Sequence, residues 1–253
     1  QPALRAGLAY RLYQRFERDG GDDDPETLVG CGEAFKGIPT LSTVPIRKNF
    51  VHRIPAADLE RIRAADLDVL LRFGFNILRG EILDAARFGV WSYHHGDNDR
   101  FRGGPPCMWE LMENADSTGV VLQRLSEELD AGLVLCKSTF RTSPSLSVRE
   151  NRYLPYWGGV HFVIRKLHEL HEHGWEWVAS RAVPRAPYQG RERIYRAPDN
   201  AAMGRWLAPA VARKVVRPLQ RQGTETRWSI GLRVGSRTRL IDGSGMAGFK
   251  LVE

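Results

Sequence analysis

The sequence contains little cysteine and no long hydrophobic run. Its three cysteines, Cys31, Cys107 and Cys136, are odd in number and far apart, which argues against a disulfide framework and favours reduced thiols in the cytoplasm. No Cys-x-x-Cys pair is present, so a structural zinc site is not expected. No apolar run approaches the roughly 20 residues that span a bilayer, and no signal peptide is visible. The sequence therefore predicts a cytoplasmic protein without a membrane span.

Positive charge is the main bias in the composition, with 37 lysines and arginines against 30 acidic residues and a net charge of +7. The arginines concentrate in residues 181–239, where only Glu192, Asp199 and Glu225 oppose them. Such a surface can bind nucleic acid, anionic head groups or phosphorylated substrates, or contact an acidic domain. Since no nucleic-acid motif of recognised spacing accompanies the arginines, nucleic acid is not an expected partner.

Short apolar runs alternate with helical patterns along residues 55–178. Residues 66–73, 90–93 and 133–140 have the length and the bounding turns of strands. Strands separated by helices predict an α/β fold, with a mainly parallel, Rossmann-type sheet flanked by helices. The predicted helices cover residues 3–18, 55–65, 81–88, 145–173 (interrupted near Pro155 and Gly158-Gly159) and 199–221. Residues 176–187 and 189–198, rich in proline and arginine, are predicted to be connectors.

The change in composition after residue 178 predicts two parts. Residues 1–178 are expected to form the α/β domain, and residues 179–253 an arginine-rich extension with a helix and a β-hairpin around residues 234–236. The chain has no initiator Met, and its last strands resemble the start of a further β domain. We therefore expect it to be a piece of a longer protein with a further domain.

A polar cluster, His94-His95-Gly96-Asp97, follows the predicted strand at residues 90–93. In open α/β sheets, ligands bind in the crevice beyond the carboxyl ends of the strands. The sequence therefore predicts an active site at this edge of the sheet.

Five short motifs follow one another in an order that resembles the folate-dependent formyltransferases, the family of methionyl-tRNA, glycinamide ribonucleotide and amino-sugar N-formyltransferases. The motifs are Gly-Phe-x-Ile-Leu at residues 74–78, Ser92-x-His94, Arg102-Gly103, Thr118-Gly119 and Asp130-x-Gly132. Ser92 stands where the family has Asn, and His95-Gly96 where it has Pro-Ser. The family's first strand and glycine-bearing turn have no counterpart in this sequence, so the first strand of the formyltransferase-like domain is expected to be missing.

The resemblance implies an N-formyltransferase. It would move a formyl group from its co-substrate, 10-formyltetrahydrofolate, to an amine of a small biosynthetic intermediate, with an amino sugar favoured, and would need no metal. The residue roles that the resemblance implies are catalysis by His94, Asp130 and Ser92, folate binding by Phe75, Asn76, Ile77, Leu78 and Gly132, and substrate binding by His95, Asp97 and Arg102.

These roles agree with the chemistry of formyl transfer. An imidazolium at His94 can donate a hydrogen bond to the developing oxyanion, and a carboxylate at Asp130 can orient it, provided that two adjacent parallel strands end at the same edge. Ser92 is shorter than Asn by an amide, and losing one oxyanion donor typically costs on the order of 100-fold to 1000-fold in rate. Restoring the amide with Ser92→Asn is therefore expected to raise the rate or leave it unchanged.

Two other functions remain open at this stage. A metal-dependent glycosyltransferase or hydrolase could use His94, His95, Asp97 and Asp99, because Asp97-Asn98-Asp99 has the Asp-x-Asp form that holds divalent ions. A degenerate formyltransferase-like domain could bind a ligand without turnover. Purely structural roles are also open: a satisfied strand-end His94, a turn-capping Asp130, an ion-paired Arg102 and an apolar turn at residues 75–78.

Overall fold

The computed structural model describes residues 7–17, 25–27, 29–30, 32–143, 147–216, 227–234, 237–244 and 250–252, with side chains described up to residue 208. The chain divides into two compact units, Gln1–Ala208 and Pro209–Glu253. Its helices are α1 (Leu8–Phe16), α2 (Ala56–Ala64), α3 (Trp109–Met112), α4 (Val148–Gly159), α5 (Phe162–His173), α6 (Trp175–Ser180) and α7 (Asn200–Val216). Its strands are β1 (Ile46–Lys48), β2 (Val51–Arg53), β3 (Leu70–Leu71), β4 (Ile77–Leu78), β5 (Val90–His94), β6 (Ser117–Arg124), β7 (Leu133–Arg141), β8 (Arg227–Val234), β9 (Arg237–Ser244) and β10 (Lys250–Val252).

The main sheet of the first unit has the strand order β3-β5-β6-β7. The pair β3–β5 is parallel, whereas β5–β6 and β6–β7 are antiparallel. The α/β class is thus confirmed, and the three predicted strands lie in one sheet and run in one direction. The sheet is mixed rather than mainly parallel in its pairing, because β6 lies between β5 and β7 and runs the opposite way.

The predicted helix at residues 81–88 is wrong. Only a 3₁₀ turn, Glu81–Asp84, forms there. The reason is that the following backbone extends the ladder of the main sheet: the N–H groups of Arg87 and Phe88 donate to the carbonyls of Leu67 and Asp68. These bonds lengthen the contact between β3 and β5 and leave residues 87–88 unable to continue a helix.

Residues 77–78 leave the main sheet and pair elsewhere. The strand β4 runs parallel to β2, with Val51 opposite Ile77 and His52 opposite Leu78, and β1 pairs antiparallel with β2. Leu78 is buried in a cluster that also contains Leu59 and Val90. The turn before β4 therefore connects the small sheet to the main one.

The alternation of β5 determines which side chains face the site. Trp91 is fully buried and, with Tyr93, packs toward the helices that follow β7, in a cluster with Phe162. Because successive strand residues point to opposite faces, Ser92 and His94 share the face of Val90. Their burial among polar neighbours sets this face apart from the apolar one.

The long helical pattern at residues 145–173 forms two helices, α4 and α5. Pro155 lies inside α4, and the break follows Gly158-Gly159. A Cβ on Gly159 would lie 2.8 Å from a methyl group of Val120, and one on Gly158 would overlap the ring of Phe140. The two glycines therefore let α4 end in direct contact with the sheet.

The segment at residues 187–198, predicted as a connector, crosses the loop that follows β5. Tyr195 forms a parallel bridge with Gly103, and the N–H of Gln189 donates to the carbonyl of Asp99 at 2.7 Å. The α7 residue Met203 is buried beside Tyr10 and Met108. Residues up to 208 thus pack within the first unit, and α6 adds a helix where a connector was predicted.

In the second unit, β8 and β9 form the predicted antiparallel hairpin, and β10 pairs with β9. The hairpin turn at residues 235–236, Cys31, and the predicted helical residues 3–6, 18 and 217–221 lie outside the described residues. Cys107 and Cys136 are buried free thiols. No helix in the described part of the chain is long and apolar enough to cross a bilayer.

Candidate active site

His94 and Asp130 lie together on the polar face of the main sheet. His94 Nδ1 is 3.4 Å from Asp130 Oδ2, and His94 Nε2 is 2.8 Å from the carbonyl oxygen of Phe101. The two side chains are 8% and 12% exposed. Both ring nitrogens therefore face oxygen acceptors, which orients the imidazole from two sides.

Two further groups hold Asp130 in place. Its Oδ2 accepts a hydrogen bond from the N–H of Gly103 at 2.8 Å, and its Oδ1 accepts one from Gln123 Nε2 at 3.3 Å. Gln123 lies directly opposite Ser92 in the sheet, is 1% exposed, and its Oε1 accepts from the N–H of Gly132 at 3.2 Å. The carboxylate is thus oriented by the Arg-Gly turn and by a buried amide.

The predicted reason for the contact between His94 and Asp130 is wrong, although the contact forms. β5 and β6 are antiparallel, with Trp91 opposite Arg124, so the carboxyl end of β6 lies at the amino end of β5. Asp130 reaches His94 because the loop at residues 125–132 turns back. The bond between Arg102 Nη1 and Glu128 Oε1, at 3.1 Å, holds this loop against the turn after β5.

Glycines allow the close packing around this pair. A Cβ on Gly119 would lie 2.9 Å from Asp97 Cα, so the loop after β5 can cross β6 only at a glycine. A Cβ on Gly132 would overlap the carbonyl oxygen of Arg124, and one on Gly96 would lie 2.9 Å from His94 Nε2. The glycines of the Thr-Gly and Asp-x-Gly motifs are therefore explained by packing around the site.

Ser92 is buried and bound by Arg72, a residue that the sequence did not single out. Ser92 Oγ accepts from Arg72 Nη1 at 3.0 Å and donates to the carbonyl of Tyr93 at 3.2 Å. Burial lowers the pKa of Arg72, while the charge of Asp130 opposes this shift. In the sequence, Arg72 stands out only as an arginine at the end of the predicted strand at residues 66–73.

The predicted folate-binding turn meets the site only at its first two residues. Arg72 donates to the carbonyls of Phe75 and Asn76 and so links this turn to Ser92. Ile77 and Leu78 pair with β2, and Leu78 packs into the apolar core. Arg72 therefore links the backbone of Phe75 and Asn76 to Ser92, whereas the Leu78 side chain packs with Val90 in the apolar cluster.

His95 lies away from His94. Its ring stacks on Tyr156 with centroids 3.7 Å apart and on Tyr93 at 5.9 Å. Burial lowers the pKa of His95 to about 3, and the nearby charges of His94 and Arg152 add to the shift. His95 is therefore a neutral ring in an aromatic stack.

Three contacts hold the Arg102 side chain within the protein. Its Nε donates to the carbonyl of Asn98 at 2.9 Å, its Nη1 pairs with Glu128, and the guanidinium carbon lies 4.5 Å from the ring centroid of Tyr188. These contacts position the loops on both sides of the His94 and Asp130 pair.

Lys137 binds the two carboxylates of the Asp-x-Asp sequence. Its Nζ lies 2.6 Å from Asp97 Oδ1 and 2.7 Å from Asp99 Oδ2. Burial opposes the charge of Lys137, but the two hydrogen bonds outweigh it, so its pKa is raised. Within the part of the chain that the structure describes, no group of three metal-ligating side chains occurs. The lysine disfavours the metal-dependent alternative because its ammonium group already binds both carboxylates.

Comparison with known proteins identifies the relatives of this site. No protein-family model matches the chain. The chain is 31% identical over 109 residues to the methionyl-tRNA formyltransferase of Agathobacter rectalis, and 38% identical over 118 residues to that of Halorhodospira halophila. These matches cover 43% and 45% of this chain. The matched segment is similar in sequence to the folate-dependent formyltransferases.

The formyltransferase segment is short relative to its relatives, since the chain spans 33% and 38% of the length of the same two proteins. An N-formyltransferase from Helicobacter canadensis, solved with folinic acid and dTDP-3-aminofucose, is 13% identical, with a TM-score of 0.37 over 72% of this chain and 71% of that chain. HypX from Aquifex aeolicus, solved with tetrahydrofolic acid, is 16% identical, with a TM-score of 0.40 over 77% and 36%. The similarity to formyltransferases rests on the sequence relatives.

Proposed function

We propose that this chain carries an N-formyltransferase site in which His94 and Asp130 act as a pair. The co-substrate is 10-formyltetrahydrofolate, and the acceptor is the amine of a small biosynthetic intermediate, with amino sugars the first class to test. The observation that carries the proposal is the 3.4 Å approach of His94 Nδ1 to Asp130 Oδ2 in a buried polar network. Both residues occupy the motif positions through which the chain resembles its relatives.

In the proposed reaction, the acceptor amine attacks the formyl carbon and forms a C–N bond while the carbonyl electron pair moves to oxygen. His94 donates a hydrogen bond to that oxyanion, and Asp130 orients the ring. The amine then loses a proton, and the oxyanion re-forms the carbonyl as the bond from the formyl carbon to the folate N10 breaks. The proton lost by the amine balances the one that N10 takes up. His94 Nε2 is the nitrogen that must act, because Nδ1 faces Asp130, so substrate has to replace the Phe101 carbonyl as its partner.

Arg72 is proposed to supply the donor that the Asn-to-Ser difference removes. Its Nη1 lies 3.0 Å from Ser92 Oγ, so a charged donor is present where the resembling family has an amide. The Ser92 hydroxyl already donates to the Tyr93 carbonyl. Because hydrogen bonds from ionised donors are stronger than neutral ones, a guanidinium can compensate for the lost amide.

A second candidate is a domain that binds folate without turnover. One observation favours it: both donors that a formyl oxygen would need are already bonded to the protein. The Ser92 hydroxyl donates to the Tyr93 carbonyl, and His94 Nε2 donates to the Phe101 carbonyl. If substrate cannot displace these acceptors, the site binds but does not transfer.

The test combines binding and turnover. Calorimetry with 5-formyltetrahydrofolate, a stable folate analogue, measures binding, and loss of 10-formyltetrahydrofolate in the presence of amino sugars measures transfer. His94→Ala is expected to keep folate affinity within a few-fold and to lower turnover by on the order of 100-fold or more, since the lost interaction is stronger in the transition state. His171→Ala, at an exposed position of α5, is the matched control. Binding without turnover in the unmodified chain would favour the second candidate, and absence of folate binding would reject both.

A further inference from the structure

Glu110 is a buried carboxyl group that the proposed reaction does not use. It lies on α3 and is 1% exposed. Its Oε1 is buried and has no hydrogen-bond partner in the part of the chain that the structure describes. A buried acid with an unsatisfied oxygen is costly to stability unless it stays protonated, so its retention calls for a reason.

The Glu110 carboxyl group packs against the loop that holds His94. The position of a Cβ on Gly96 would be 3.3 Å from Glu110 Oε1, 2.9 Å from His94 Nε2 and 3.2 Å from the Phe101 carbonyl oxygen. Only a residue without a side chain therefore separates the carboxyl group from the imidazole. The charge of the next residue, Asp97, is close enough to raise the pKa of Glu110.

The surroundings of Glu110 keep its proton in place. Burial is the main cause that raises the pKa of Glu110 to about 8, and the charge of Asp97 adds to it. The backbone of Glu110 and of Asp97 and the charge of Arg100 act in the opposite direction. A cavity of about 10 Å³, roughly the space for one water, adjoins the carboxyl group. Cys107, in the turn before α3, lines the same cavity as Glu110. The other titratable groups that line this cavity are His95, Arg102 and Tyr195.

We propose that Glu110 is a positioning residue for His94: its neutral carboxyl group supports the loop from Gly96 to Phe101, and its ionisation displaces that loop and the His94 ring. Electrostatic repulsion links the ionisation of Glu110 to the displacement of the loop. A second buried negative charge beside Asp97 repels the Asp97 carboxylate and pulls on the backbone that presents the Phe101 carbonyl to His94 Nε2. The loop then loses the geometry that orients the imidazole. A water in the adjoining cavity would accept the proton of the neutral acid.

The role of Glu110 in turnover rests on the proposed function, but its effect on the His94 ring does not. Nuclear magnetic resonance of ¹⁵N-labelled imidazoles, with the His94 signals assigned through His94→Ala, follows that ring directly between pH 6 and pH 9. In the unmodified chain, we expect the His94 signals to shift with a midpoint near pH 8. Glu110→Gln keeps the shape of the neutral acid and cannot ionise, so the shift should disappear. The control Glu150→Gln, at an exposed position, should retain it.

Two outcomes overturn the proposal. One is a His94 transition near pH 8 that persists in Glu110→Gln, and the other is no transition in the unmodified chain while the Glu110 side-chain carboxyl ¹³C signal titrates in this range. The carbon measurement needs no variant, so it decides the matter even if Glu110→Gln fails to fold. A chain without turnover whose His94 ring follows Glu110 would reject the proposed function alone. A chain with turnover whose His94 ring ignores Glu110 would reject the positioning role alone.

Discussion

Ser92→Asn tests whether Arg72 has taken over the place of the missing amide. From the sequence, restoring the amide should raise the rate or leave it unchanged. The structure changes this expectation, because Arg72 Nη1 already lies 3.0 Å from Ser92 Oγ, and Ser92 is 3% exposed. A larger amide at this position must displace the guanidinium. We therefore expect Ser92→Asn alone to lower both stability and turnover.

The expected loss of stability in Ser92→Asn combines two effects at the same position. Overpacking a buried site costs about 1–3 kcal/mol of unfolding free energy. Losing a hydrogen bond to a charged group costs about 1.5–3 kcal/mol, although Arg72 keeps its bonds to the carbonyls of Phe75 and Asn76. Arg72→Ala alone removes the proposed charged donor and should lower turnover on the order of 100-fold. Combining the two changes makes room for the amide and restores a donor.

A double-mutant cycle measures this coupling. The four proteins are the unmodified chain, Ser92→Asn, Arg72→Ala and the double variant, each examined by urea unfolding and by formyl transfer. The double variant should be more stable than the sum of the single effects by about 1–3 kcal/mol, and it should be more active than Arg72→Ala. Ser42→Asn, at an exposed position, makes the same chemical change without a buried neighbour and should be neutral.

Two results would refute the reasoning. If the two changes are additive within about 0.5 kcal/mol, Arg72 and Ser92 do not compete for one position. If Ser92→Asn alone matches the unmodified chain in stability and turnover, the guanidinium does not occupy the space that an amide needs.

Three further changes test the site and its support. Asp130→Asn should lower turnover and disturb the His94 ring signals, because a neutral amide holds an imidazolium less well; unchanged signals in a nuclear magnetic resonance spectrum would contradict this. Gly119→Ala should cost about 1–3 kcal/mol in urea unfolding, since its Cβ would lie 2.9 Å from Asp97 Cα, and an unchanged midpoint would contradict it. His95 has a folded-state pKa of about 3, so between pH 6.5 and pH 3 only the unfolded chain takes up its proton, and the free energy of unfolding should decrease as the pH is lowered through this window. His95→Phe should remove this part of the acid destabilisation. An identical pH profile in the variant would contradict the burial of a neutral ring.

Local patterns were sufficient for some strands and helices, but the central strand β6 was not predicted and β3 is shorter than predicted. β5 and β7 were predicted within about one residue of their observed bounds, and so was α2. The helix at residues 81–88 failed because its backbone N–H groups bond to residues 67–68, which a local pattern does not contain. Tertiary pairing overrode helical periodicity there.

Side-chain contacts were predicted correctly only where the motifs implied them. His94 and Asp130 do meet, whereas the adjacent His95 points into an aromatic stack. Neighbouring residues at a strand end face opposite sides, so sequence proximity to His94 was misleading for His95. Gln123 and Glu110 gave no sequence signal, because a buried polar partner is defined by the fold around it.

The contact between His94 and Asp130 shows why a motif can predict a site when the topological argument for it fails. Antiparallel pairing of β5 and β6 places their carboxyl ends at opposite edges, so strand direction cannot bring the two residues together. Instead, three segments of the chain pass close to one another and bring His94 and Asp130 together. Gly96, Gly119 and Gly132 lie where a Cβ would meet the neighbouring segment. Gly119 and Gly132 belong to the motifs, whereas Gly96 does not. Arg72 and Gln123, which bind Ser92 and Asp130, also lie outside the motifs, so the motifs alone do not predict how those two side chains are held.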